Sequence, residues 1–161
     1  MNLLSLNLIL AVVWATLTGS FTLPSLLTGY AIGFAALWVL APLMDAPTGY
    51  FRRVAYWIRL FVMFNWELFV SSAQVAWDVV TPRHRSRPAL IEMPLSVRSD
   101  AGILLVTNLI SLTPGTLSLD VSEDRSTLLI HAMFGEDPQA VVRAIKGGME
   151  RWVMDALGEG A

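Results

Sequence analysis

The stretch from Leu26 to Leu43 reads LLTGYAIGFAALWVLAPL: eighteen residues without one charged side chain. An apolar run of that length suits the roughly 30 Å hydrocarbon core of a bilayer better than a soluble core helix. Working outward, Leu3 to Leu17 is a second apolar run, broken only by Ser5, Asn7 and Thr16. Thr18-Gly19-Ser20 and Pro24 separate the two, as Gly and Pro commonly do. The pair reads as a helical hairpin that ends between Ala41-Pro42 and Pro47-Thr48-Gly49. Gly29 and Gly33 stand four apart, the spacing at which small residues let two membrane helices approach closely.

Charge divides the chain. Residues 1–50 hold one charged side chain, Asp45, and the rest holds all eleven Lys and Arg and every other Asp and Glu. Mean hydropathy is +0.58 and hydrophobic residues make up 55 %, so two environments in one chain are expected. A net charge of −2 gives no basic face for nucleic acid. The absence of cysteine excludes disulfides and thiolate metal sites. The opening Met-Asn-Leu-Leu-Ser-Leu has no basic residue, so the first helix is expected to be a retained anchor, not a cleaved signal peptide.

Arg52 and Arg53 open a third segment, residues 51–80. It is rich in Trp, Phe, Val and Leu, yet Arg59, Glu67, Ser71, Gln74 and Asp78 fall on one side of it at helical spacing. Such a stripe must face protein, water or headgroups. Basic clusters flank it: Arg52-Arg53 before, Arg83, His84, Arg85 and Arg87 after. The positive-inside rule draws both clusters to the cytoplasm, which would lay the helix along the surface. Its length favours a crossing, with the N-terminus outside. The expectation is therefore three membrane helices (3–18, 25–44 and 51–80) within residues 1–81, followed by a cytoplasmic domain at 82–161.

After Pro82 the texture becomes that of a soluble α+β domain in the order β-α-β-β-α. Ala89–Val97 reads as a strand that Pro94 demotes to an edge. Ser99 caps an apolar helix from Ala101 to Leu112, too short to span a bilayer. Thr113-Pro114-Gly115-Thr116 fits a type II turn with Gly at positive φ. Leu117, Leu119 and Val121 alternate with Ser118 and Asp120, and Thr127–Met133 completes a hairpin. Asp137 and Pro138 open a last helix with Val141, Ile145, Met149, Trp152, Val153 and Ala156 on one face.

Enzyme signatures are missing: there is no phosphate-binding glycine loop, no His-Glu-x-x-His and no nucleophile elbow. No catalytic centre, metal or cofactor is expected. Glu67, a carboxylate at membrane depth, suggests an ion relay on one reading and pairing within its stripe or with a partner on the other. His131, in mid-strand, reads as a sheet histidine. The hydroxyls of Thr113 and Thr116 could hold an anion, but more commonly bond their own backbone.

Residues Ser111 to Met133, SLTPGTLSLDVSEDRSTLLIHAM, carry a resemblance. The Thr-Pro-Gly-Thr turn, the Leu-x-Leu-Asp strand and Ile-His-Ala-Met resemble the E subunit family of bacterial multisubunit Mrp-type Na+/H+ antiporters. Gly29-Tyr30 with Gly33, the third helix and the Arg83–Arg87 link match in order. The resemblance implies a hetero-oligomer of membrane subunits related to the membrane arm of respiratory complex I. It also implies a role in assembly and stability, since proton conduction is attributed to the large A and D subunits. Thr113, Pro114, Gly115, Thr116, Asp120 and His131 would then shape a surface that docks on neighbouring subunits. A stand-alone membrane-anchored ligand-binding module and a membrane-bound enzyme are the alternatives.

Overall fold

A computed structural model describes residues 2–43, 49–82 and 85–159. Asp45, Pro47, Thr48, Arg83 and His84 lie outside the described residues. The chain forms two compact units, Met1–Val54 and Ala55–Ala161.

In the first unit, α1 (Leu3–Leu17) and α2 (Leu23–Leu40) pack as a hairpin. Asn2 caps α1 by accepting from Leu4 N–H, and Thr22 caps α2 by accepting from Ser25 N–H. Each cap satisfies an amide that a helix start leaves without a partner. The seam is made of small residues: Ala11 and Ala15 on α1 are buried, as are Gly29 and Gly33 on α2. A Cβ on Gly29 would lie 2.7 Å from Trp14 Cβ and 3.0 Å from Ala11 Cα, so only glycine permits this approach. A 3-10 turn, Ala41–Leu43, extends α2. Together they form Leu23–Leu43, at 21 residues the one helical run among the described residues that is long and apolar enough to cross a membrane. At 1.5 Å per residue it reaches about 31 Å.

Helix α3 (Gly49–Val80) is 32 residues long. It starts in the first unit and runs on in the second. There it is followed by β1 (Ala89–Pro94), α4 (Asp100–Leu112), β2 (Thr116–Val121), β3 (Thr127–Ala132), α5 (Pro138–Ile145) and α6 (Arg151–Leu157). The sheet is antiparallel in the order β1-β3-β2, so the strand bearing Pro94 is an edge. The register sets Met93 opposite Leu128 and Ile91 opposite Ile130, and all four side chains are buried. Met93, Leu128 and Ile130 pack with Val106 and Ile110 of α4 and Val153 and Ala156 of α6 in one apolar core. Each fully buried aliphatic side chain contributes about 1.5–3 kcal/mol.

The last helix differs from expectation. It is split into α5 and α6 by a π-helical turn, Lys146–Glu150, and Gly148 leaves helical geometry at φ −102° and ψ −105°. Gly147-Gly148 supplies the backbone freedom for that turn.

Candidate subunit-interface site

Part of the α3 stripe is turned towards the α+β core. Leu60 belongs to that core, and Tyr56 and Phe64 pack against it. On the same side Ser71 and Asp78 are buried and Glu67 is half-buried. The Ser71 hydroxyl donates to the carbonyl of Glu67 at 2.7 Å, which removes its need for an outside partner. Asp78 accepts from the backbone N–H of Arg85, fixing the link that leads to β1. Arg59 reaches Asp155 of α6 at 3.6 Å, and Arg151 shares the same carboxylate at 3.4 Å. Gln74 is exposed. Arg59 and Asp78 thus meet groups of the chain's own residues 82–161, while the Ser71 hydroxyl is satisfied within α3.

The Thr113–Thr116 segment is a closed turn. Thr116 N–H donates to Thr113 C=O at 3.1 Å, and Gly115 has φ +91°, as its place in the turn requires. The Thr113 hydroxyl is buried and donates to Leu109 C=O at 2.8 Å. The Thr116 hydroxyl donates to Ile110 C=O at 2.6 Å. Both hydroxyls therefore close the end of α4 instead of offering donors to an anion. Val75 of α3 lies beside Gly115, with room for no more than ordinary contact. His131 is half-buried on the sheet face away from the core, between Leu90 and Leu117 in the register. Leu90 is 65 % exposed and Leu117 is 47 % exposed, so this row forms an open apolar strip. Asp120 follows a bulge in β2, is exposed, and accepts from Val121 N–H at 2.9 Å. The structure therefore brings the turn against α3, with His131 paired to Leu117 beside the turn and Asp120 further along β2.

Two polar clusters carry no clear sequence signal. The first is Glu150, 1 % exposed. Its carboxylate accepts from Ser96 N–H at 2.5 Å and Val97 N–H at 3.2 Å, and meets Lys146 at 3.2 Å. Lys146 in turn donates to Pro94 C=O and to the Ser96 hydroxyl. Together they clamp the segment between β1 and α4 to the π turn. The second cluster lies inside the hairpin unit. Asn7, fully buried, donates to the Tyr50 hydroxyl at 2.8 Å, and Tyr50 bonds Tyr30 at 2.8 Å. Asn7 Oδ1 is buried against Gly33 and accepts no hydrogen bond among the described residues. A lone Asn in an apolar run is the one available hint, but its partner lies 43 residues away.

An uncharged helical hairpin, with one run long and apolar enough to cross a membrane, followed by a small α+β domain defines the class: a membrane-associated chain. The sequence matches, over residues 7–156, the family described as Na+/H+ ion antiporter subunit. It is 33 % identical over 150 residues to the E-type Na+/H+ antiporter subunit of Alkalihalophilus pseudofirmus, covering 93 % of this chain and 94 % of that protein. It is 32 % identical over 150 residues to the E1-type Na+/H+ antiporter subunit of Staphylococcus haemolyticus, with the same coverage of each. The fold is similar to a chain in the structure of the Mrp complex from a Dietzia species. There the TM-score is 0.50 and the identity 26 %, over 65 % of this chain and 96 % of that one. The chain belongs to the E subunit family of the multisubunit Mrp-type Na+/H+ antiporters.

Proposed function

We propose that this chain is a non-catalytic assembly subunit of an Mrp-type Na+/H+ antiporter in the bacterial cell membrane. Residues 1–81 form its membrane part, and the α+β domain at 82–161 stands in the cytoplasm. The observation that carries the reading is the destination of the polar stripe. Arg59 and Asp78 of that stripe are engaged with the chain's own residues 82–161, and residues 1–44 contain no Asp, Glu, Lys, Arg or His. Ion translocation needs ionisable groups along a path at membrane depth. That requirement falls on other subunits of the complex. The open strip of Leu90, His131 and Leu117, with Asp120 at its border and the Thr113–Thr116 turn, is the surface offered to neighbouring subunits.

A mild-detergent pulldown of the tagged chain from native membranes tests this. Recovery with large many-helix antiporter subunits is expected. A stable, monodisperse single chain would refute it and favour a stand-alone ligand-binding module.

A further inference from the structure

We propose that α3 lies in the plane of the membrane surface, its aromatic face set into the boundary between headgroups and acyl chains, and does not cross the bilayer. The proposal rests on the membrane-subunit reading above.

Packing carries the argument. From Tyr56 to Val75 one side of α3 is joined to the α+β domain, through Leu60 in the core, the Arg59–Asp155 pair and Val75 beside Gly115. That length is about 28 Å, close to the whole hydrocarbon thickness. A crossing helix would carry the domain into lipid along this entire length. The domain's surface bears charged side chains 60–76 % exposed, among them Arg125, Asp100, Arg143, Asp137 and Arg151. Each would cost several kcal/mol in hydrocarbon. Open sheet edges on β1 and β2 would also lose the water that hydrates them.

The opposite side of α3 names its occupant. Ile58, Phe61, Val62, Trp66, Phe69 and Trp77 are each more than half exposed. The two acids of the helix, Glu67 and Asp78, are on the domain side. Trp and Phe on one face of an amphipathic helix, with arginines at its ends, are suited to a lipid interface. Arg52 and Arg53 precede this face, Arg85 and Arg87 follow it, and all four are exposed, complementary to anionic headgroups. Connectivity agrees. The chain leaves the α2 run at Leu43 and enters α3 at Gly49, six Cα–Cα steps that span at most about 21 Å. Lying flat, α3 places both basic clusters on one side of the membrane, as the positive-inside rule requires. A helical hairpin returns to the side it left, so the N-terminus and the α+β domain share the cytoplasmic side.

The chain contains no cysteine, so single-cysteine variants can be read directly in the assembled complex in native membranes and in proteoliposomes. Gly49→Cys is open, with nothing within 4 Å of an added Cβ, and Val80→Cys is 74 % exposed. Both are expected to react with an impermeant maleimide from the cytoplasmic side alone. Reaction from opposite sides would establish a crossing and overturn the proposal. Bimane on Phe61→Cys and Phe69→Cys should be quenched at least about twofold more by shallow than by deep nitroxide lipids, equally at both sites. Deep quenching, or protection from both lipids by a neighbouring protein subunit, would overturn it. Ile32→Cys in α2 is the control. Failure of deep lipid to quench it would refute the membrane reading itself, a result distinct from a failure at α3.

Discussion

Replacing Glu150 by Ala should be the most destabilising single change in the α+β domain. The side chain is 1 % exposed and receives two backbone N–H groups, Ser96 at 2.5 Å and Val97 at 3.2 Å. Removal leaves two donors without an acceptor, at about 1–3 kcal/mol each. It also strips the half-shielded Lys146 of its carboxylate, 3.2 Å away. Breaking a buried pair from one side costs about 3–5 kcal/mol, and the two costs overlap because they concern one group. A net loss of about 4 kcal/mol is expected, a large part of the roughly 5–15 kcal/mol that holds a domain folded. Glu150→Gln keeps one acceptor oxygen and should lose about half as much. Urea titration of the full chain in mild detergent, followed by protease resistance of residues 85–159, measures both. A midpoint for Glu150→Ala that corresponds to less than about 1 kcal/mol would refute the clamp.

Gly33→Ala places a methyl group on Asn7 Oδ1, an overpacking that costs about 1–3 kcal/mol, so recovery of the subunit in the complex should fall. Adding Asn7→Ala should restore that recovery, and absence of rescue would show that the contact is not limiting. Glu67→Gln should leave antiport and assembly intact, since Glu67 faces the domain side of α3; loss of transport with normal assembly would make Glu67 part of an ion path. The Ser122 hydroxyl, then Ser126, lowers the Asp124 pKa from 3.8 to about 2. The depressed carboxylate stabilises the β2–β3 turn above about pH 4, and that contribution is lost as pH falls towards about 2. Asp124→Asn should therefore flatten the acid limb of the unfolding curve between those values, read by tryptophan fluorescence.

Local signals are legible where chemistry acts over a few residues. Ser99 accepts from Gly102 N–H and Asp137 accepts from Ala140 N–H, the caps their positions suggest. Pro94 sits on an edge strand, and Gly115 takes positive φ after Pro114. What periodicity cannot supply is the identity of the facing surface. The stripe on α3 is visible as a spacing, yet the same spacing serves a membrane interior or a protein core. Asp155, which pairs with Arg59, is 96 positions further along the chain. Glu150 is hidden for a related reason. It lies between Met149 and Arg151, where a regular helix would turn an acid to solvent, and the π turn changes which side faces inward. Gly147-Gly148 announces weakness in a helix, not the direction in which it will rotate.

That π turn also constrains how the gene can vary. A π turn accommodates one residue more than an α-helical turn, so a single-codon deletion within Lys146–Glu150 would restore an uninterrupted helix. The deletion would keep every codon downstream yet rotate α6 by about 100° against α5. Either Ile145 or the Val153–Ala156 side would leave the core, and Glu150 would swing away from Ser96. Changing the number of residues in this segment therefore disturbs the core more than changing most of their identities.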